Sequence, residues 1–205
     1  MKRSFPKIRI SPAVLLIVAS ALLSKNSHIE RAIIIISAAF VHEVGHLIVA
    51  LVCGIPIKCI RLDIFGAYIE TDPLMCSYFK EAVLCLAGPL ANILSAAAIN
   101  IPPLPFDTRL FTVASVVFAF LNLLPAKGFD GGRALLCFLT VTVSQRFAAT
   151  FLEVTSFFCV FMLWSASVYF IMRTGAYLSL FIFSGCLFSR LFLLPDSFSY
   201  STKDK

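Results

Sequence analysis

Residues 31–54 read RAIIIISAAFVHEVGHLIVALVCG, an apolar run broken by His42, Glu43 and His46. At a rise of about 1.5 Å per residue, a helix over this stretch is long enough to cross the ~30 Å hydrocarbon core of a bilayer. Residues i and i+4 share a helix face, so His42 and His46 can grip one Zn²⁺ while Glu43 stands beside a coordinated water as general base. The bland alternative is an idle histidine pair. Ionisable groups at bilayer depth cost about 2.5 kcal/mol or more each unless paired or coordinated, so two imidazoles and a carboxylate clustered here are hard to explain as packing.

The rest of the chain agrees with a membrane setting. Hydrophobic residues make up 60% and charged residues 14%, with a mean hydropathy of +0.94. The expected fold class is therefore an all-α polytopic membrane protein, one domain over 1–205, with about six transmembrane helices and a short membrane-associated β-hairpin. The candidate spans are Pro12–Ser24, Arg31–Gly54, Ala82–Asn100, Leu110–Pro125, Phe147–Met172 and Ala176–Pro195. The first is short and follows Lys2, Arg3, Lys7 and Arg9 as a signal peptide would, but it lacks a cleavage site leading into a polar domain and is kept as a short or tilted span. The hairpin is expected over Ile57–Glu70, where Ile60, Leu62 and Ile64 alternate with Arg61, Asp63 and Phe65 before Gly66.

A net charge of +6 raises the question of nucleic acid, and its distribution answers against it. With six crossings and an inside N-terminus, 13 of the 17 Lys and Arg fall on the cytoplasmic side, leaving Lys25, Arg31, Arg109 and Arg173 outside. Both termini are thus expected in the cytoplasm, and His42, about 16 Å into its helix, in the cytoplasmic half of the bilayer. The seven cysteines include no C-x-x-C pair and read as small apolar packers.

A catalytic zinc wants three protein ligands and an open position, so a further donor must come from elsewhere. The candidate is Asp130, which sits among Pro125, Gly128, Gly131 and Gly132. Irregular backbone at membrane depth is tolerated where it lines a watery cavity, as a hydrated metal site would provide, although an ordinary Pro/Gly loop reads the same way. Asn92 and Asn122 lie in apolar spans, either as amides that glue helices together or as donors to a substrate carbonyl and its developing oxyanion. Gly88-Pro89 is read as a bend, Arg146 and Glu153 as an interfacial pair or a cap of the helix entrance, and His28 as a loop residue without a catalytic role.

Three motifs in order, His42-Glu43-Val44-Gly45-His46, Gly88-Pro89-Leu90-Ala91-Asn92 and Asn122-Leu123-Leu124-Pro125 leading to Asp130-Gly131, resemble the site-2 proteases, the intramembrane zinc metalloproteases of peptidase family M50. The resemblance covers about Ile33 to Leu136, and the compact plan looks like the sporulation-type branch. It implies one Zn²⁺ per chain held by His42, His46 and Asp130, with Glu43 catalytic and Asn92 and Asn122 supporting the substrate or oxyanion. It also implies a membrane-associated substrate, a sigma-factor precursor in that branch, and an inhibitory membrane protein as a further partner. The chain departs from the family's pattern at Lys127 and Phe129 on the approach to Asp130, where Lys127 either pairs with Asp130 or snorkels to the interface.

The chemistry expected is peptide-bond hydrolysis, in which Glu43 takes a proton from the zinc-activated water and returns it to the departing amine. A helical substrate must first become extended, and the hairpin offers an edge strand for it. The rivals are a membrane metalloprotease of soluble or misfolded proteins and a non-enzymatic zinc carrier, which would have no use for Glu43.

Overall fold

The computed structural model describes residues 7–10, 26–55, 57–63, 66–71, 77–101, 108–174 and 178–193. In chain order these form β1 (Lys7–Ile10), α1 (Asn26–Val52), β2 (Ile57–Asp63), β3 (Gly66–Thr71), α2 (Tyr78–Ala98), α3 (Arg109–Asn122), α4 (Asp130–Thr142), α5 (Gln145–Thr174) and α6 (Leu178–Leu193).

The expected fold class is corrected on two counts. Among the described residues three helices, not six, are long and apolar enough to cross a membrane: Ile29–Val52 within α1, then α2 and α5. Composition alone cannot see where a helix stops. The span expected over Leu110–Pro125 is a helix of 14 residues, or about 21 Å, short of the ~30 Å apolar core. That expected over Ala176–Pro195 is α6, 16 residues long. The span expected over Pro12–Ser24 lies outside the described residues. Placing both termini in the cytoplasm rested on six crossings and loses that support.

The second correction is that the chain is not all-α, and its β structure is not an isolated hairpin. A three-stranded sheet runs in the order β1-β2-β3. β2 and β3 are antiparallel, with Ile60 opposite Ile69 and Asp63 opposite Gly66, and β1 joins β2 in parallel with Ile8 opposite Ile60. Lys7-Ile8-Arg9-Ile10 alternates with period two, but as a basic flank before an apolar run it reads as an orientation signal. Its pairing partner lies far along the chain, where local pattern gives no hint. β2 is central, so the sheet's outer edges belong to β1 and β3.

The helices pack around α2, which meets α1, α3 and α4, while α5 pairs with α4 and α6. The apolar window of α2 is 44% buried, against 22% for α1 and 17% for α5, so the other two give most of their surface to the surroundings. Phe40, Leu51, Phe158 and Met162 are among the large apolar side chains left exposed, as expected where lipid replaces water as solvent. α2 begins at Ser77, whose hydroxyl accepts from the Lys80 amide, the usual way to satisfy a first-turn N–H. Its close approach to α1 needs Gly45: a Cβ there would lie 2.6 Å from the Ala91 Cβ and 2.7 Å from the Ala87 carbonyl oxygen. Small residues let membrane helices touch along their backbones, where dispersion rather than the hydrophobic effect holds them.

Candidate metal centre

His42 and His46 occupy one face of α1, both buried, at 5% and 6% exposure. Asp130 comes to them from α4. Its Oδ2 lies 3.0 Å from His42 Nε2 and 3.1 Å from His46 Nε2, and the two Nε2 atoms are themselves 3.1 Å apart. Thus one oxygen and two nitrogens converge on a single point from positions 84 and 88 residues apart in sequence. Tetrahedral zinc with bonds of 2.0–2.2 Å needs neighbouring donors about 3.3 Å apart, so a spread of a few tenths of an ångström suffices. Two imidazole nitrogens and a carboxylate are also the donor set that zinc accepts in hydrolytic sites. The residues fit the metal. Glu43 is half-buried on the same helix, next to His42.

α2 forms the wall behind the imidazoles. The Leu84 carbonyl accepts from His46 Nδ1 at 2.7 Å, which puts the ring proton on Nδ1 and leaves Nε2 as a lone pair. Pro89, inside the same helix, has no N–H to return to the Cys85 carbonyl. One turn beyond Leu84, Gly88 faces both rings, and two turns beyond it Asn92, wholly buried, reaches His42. The sequence offers Gly88-Pro89 as a bend and as part of a family motif, without a partner for either residue. The spacing 84, 88, 92 marks one helix face, and that periodicity was the available signal.

A Cβ on Gly88 would sit 2.7 Å from His42 Nε2 and closer still to His46 Nε2. We therefore expect Gly88→Ala to weaken zinc binding by about 10-fold or more, as ligand misorientation does elsewhere. Equilibrium competition with a chelator measures it, and wild-type affinity in a folded variant would show that the rings have room to move.

Asp130 does not lie in a loop. It occupies the first turn of α4, after the extended residue Phe129, where a carboxylate also meets the positive end of the helix dipole. Gly131 and Gly132 discouraged a helix reading, yet they are what lets this helix begin here: a Cβ on Gly131 would strike the Leu123 carbonyl, and one on Gly132 the Ala126 carbonyl. Gly128, at φ 92°, makes the turn before them. Arg133 then ties α4 to α2 through an ion pair with Glu81 at 3.0 Å, both side chains largely buried.

Lys127 and Phe129 have clear partners. Lys127 Nζ pairs with Glu153 at 3.0 Å, and the Lys127 amide donates to Ser156 Oγ at 2.7 Å. Lys127 therefore neither pairs with Asp130 nor simply snorkels, and the partner of Glu153 is Lys127 instead of Arg146. Phe129 is buried in a cluster with Ala126, Val160 and Leu187. Both residues anchor the turn before Asp130 onto α5 and α6. Asn122 is not linked to the triad by any described hydrogen bond; its amide donates to the Phe118 carbonyl of its own helix at 3.0 Å. His28 lies in α1, and nothing of its side chain is described.

Comparison with known proteins adds four findings. The family pattern of peptidase family M50 matches residues 31–102, which include His42, Glu43, His46 and Asn92 but stop short of Asp130. The chain is 28% identical over 112 residues to a protein of Synechocystis sp. named for zinc metalloprotease activity, sll0528, covering 51% of this chain and 30% of that protein. It is 30% identical over 139 residues to stage IV sporulation protein FB of Bacillus subtilis, covering 63% of this chain and 46% of that one. The chain thus matches less than half the length of each relative. The solved structure of a site-2 protease from Methanocaldococcus jannaschii superposes with a TM-score of 0.59 at 18% identity, covering 90% of this chain and 88% of the other, a likeness of fold.

Proposed function

The chain belongs to the site-2 protease family, peptidase family M50, and from that premise we propose that it hydrolyses a peptide bond in a membrane-associated or transmembrane protein. The observation that carries the reading is the convergence of His42, His46 and Asp130 on one point, with both imidazoles buried. Zinc bound there would supply a Lewis acid that acidifies a water and polarises the scissile carbonyl. Glu43 takes the proton from that water and delivers it to the leaving amine. Buried apolar surroundings strengthen each of these interactions relative to water.

The finer reading concerns the substrate. The likeness to stage IV sporulation protein FB supports a role in sporulation, and the sporulation-type resemblance makes a sigma-factor precursor the substrate of choice, with an inhibitory membrane protein as the regulating partner. A substrate helix hides its carbonyls in i to i−4 hydrogen bonds and must be drawn out before hydrolysis. The outer edge of β3 is a place where an extended segment can pair, whereas β2 is flanked on both sides.

Co-expression with membrane-tethered sigma-factor precursors, followed by cleavage with purified protein, tests the whole reading. We expect a cut that disappears on treatment with a zinc chelator and returns on adding zinc. Cleavage indifferent to chelation would sink the metal mechanism, and cleavage confined to soluble unfolded proteins would move the substrate class.

A further inference from the structure

His46 has its partner in the Leu84 carbonyl, and His42 has one of a different kind. The Asn92 Nδ2 lies 3.3 Å from His42 Nδ1, and the other arm of the amide, Oδ1, is buried without a hydrogen-bond partner among the described residues. With Nδ2 facing the ring, Nδ1 must accept, and the proton of a neutral imidazole then sits on Nε2, the atom turned toward Asp130 and His46. A protonated Nε2 cannot ligate a cation. A half-turn of the amide exchanges two arms of nearly equal shape, so that Oδ1 accepts from Nδ1–H and Nε2 is left as a lone pair. One arm lacks a partner in either orientation, so burial hardly discriminates between them. The bond to the ring decides.

We propose that Asn92 is a positioning residue whose amide oxygen accepts from His42 Nδ1–H and thereby holds His42 in the tautomer that binds metal. This rests on the zinc reading above. It replaces a role for Asn92 at the substrate carbonyl: a wholly buried side chain in contact with His42 acts through the metal ligand. α2 then supplies both outer partners from one face, a backbone oxygen at Leu84 for His46 and a side-chain oxygen at Asn92 for His42, with Gly88 between them leaving room for the rings. Loss of such outer partners typically weakens metal binding by about 10–100-fold.

The test uses the purified full chain in detergent, with zinc affinity by chelator competition and the visible absorption of the Co²⁺-loaded protein as readouts. Asn92→Leu keeps the branched shape and removes the acceptor; we expect zinc affinity to fall by about 10–100-fold and the Co²⁺ spectrum to change. Asn92→Asp still accepts from Nδ1–H and is expected to bind zinc within about threefold of wild type, or more tightly. Asn92→Ala, which cannot overfill the site, takes the place of Asn92→Leu where thermal unfolding shows that variant misfolded. Wild-type zinc affinity and an unchanged Co²⁺ spectrum in folded Asn92→Leu or Asn92→Ala would overturn the proposal, as would folded Asn92→Asp binding as weakly as they do. A wild-type chain that fails to bind one zinc would overturn the metal reading instead.

Discussion

Glu43→Gln is expected to lower peptide-bond cleavage by about 100-fold or more while zinc content stays at the wild-type level. The amide matches the carboxylate in shape but neither takes a proton from water nor returns one to the amine. Glu43 shares α1 with both histidines, yet it is not one of the three converging donors, so its replacement leaves the metal cage intact. Metal analysis and a cleavage assay on the same preparation separate the two effects. Activity within about tenfold of wild type at full zinc occupancy would take Glu43 out of the role of base.

Asp130→Ala is expected to behave in the opposite way, losing zinc and activity together. It removes the negatively charged donor of the three and leaves two neutral imidazoles, so the loss of affinity should reach at least about 100-fold, the top of the range for outer partners. The fold should survive, because α4 is held by contacts that Asp130 does not make. Arg133 pairs with Glu81 on α2, Lys127 and its amide bond to Glu153 and Ser156 on α5, and Phe129 is packed against Val160 and Leu187. Excess zinc should restore part of the activity if the variant fails only in affinity. Tightly held, stoichiometric zinc in Asp130→Ala would send the search for the third ligand to another residue.

The parts of this protein that could be read from its sequence are those in which local spacing carries the physics. His42 and His46 share a helix face because of the 3.6-residue repeat, and their company of apolar residues makes idle burial expensive. The α1, α2 and α5 helices follow from runs long enough to cross a bilayer. Asp130 could be singled out as an isolated carboxylate among glycines, but what the glycines were for could not. They look like loop residues because helix propensity counts against them; in the folded chain they are required because the turn at Leu123–Ala126 passes where their side chains would be.

Tertiary structure alone decided the rest. Lys127, read as a competitor for Asp130 or a snorkelling side chain, pairs instead with Glu153, 26 residues further on. β1, read as a basic flank, completes a sheet with a strand some fifty residues away. Asn92, read beside Asn122 as either an amide that glues helices or a substrate donor, touches His42 while Asn122 bonds back to its own helix. In each case the residue type and its local pattern permitted several partners of similar energy, and the choice among them was made by which helices lie side by side. Spacing along the chain determines which face a side chain shares; only the packing of α2 against α1 and α4 determines what that face meets.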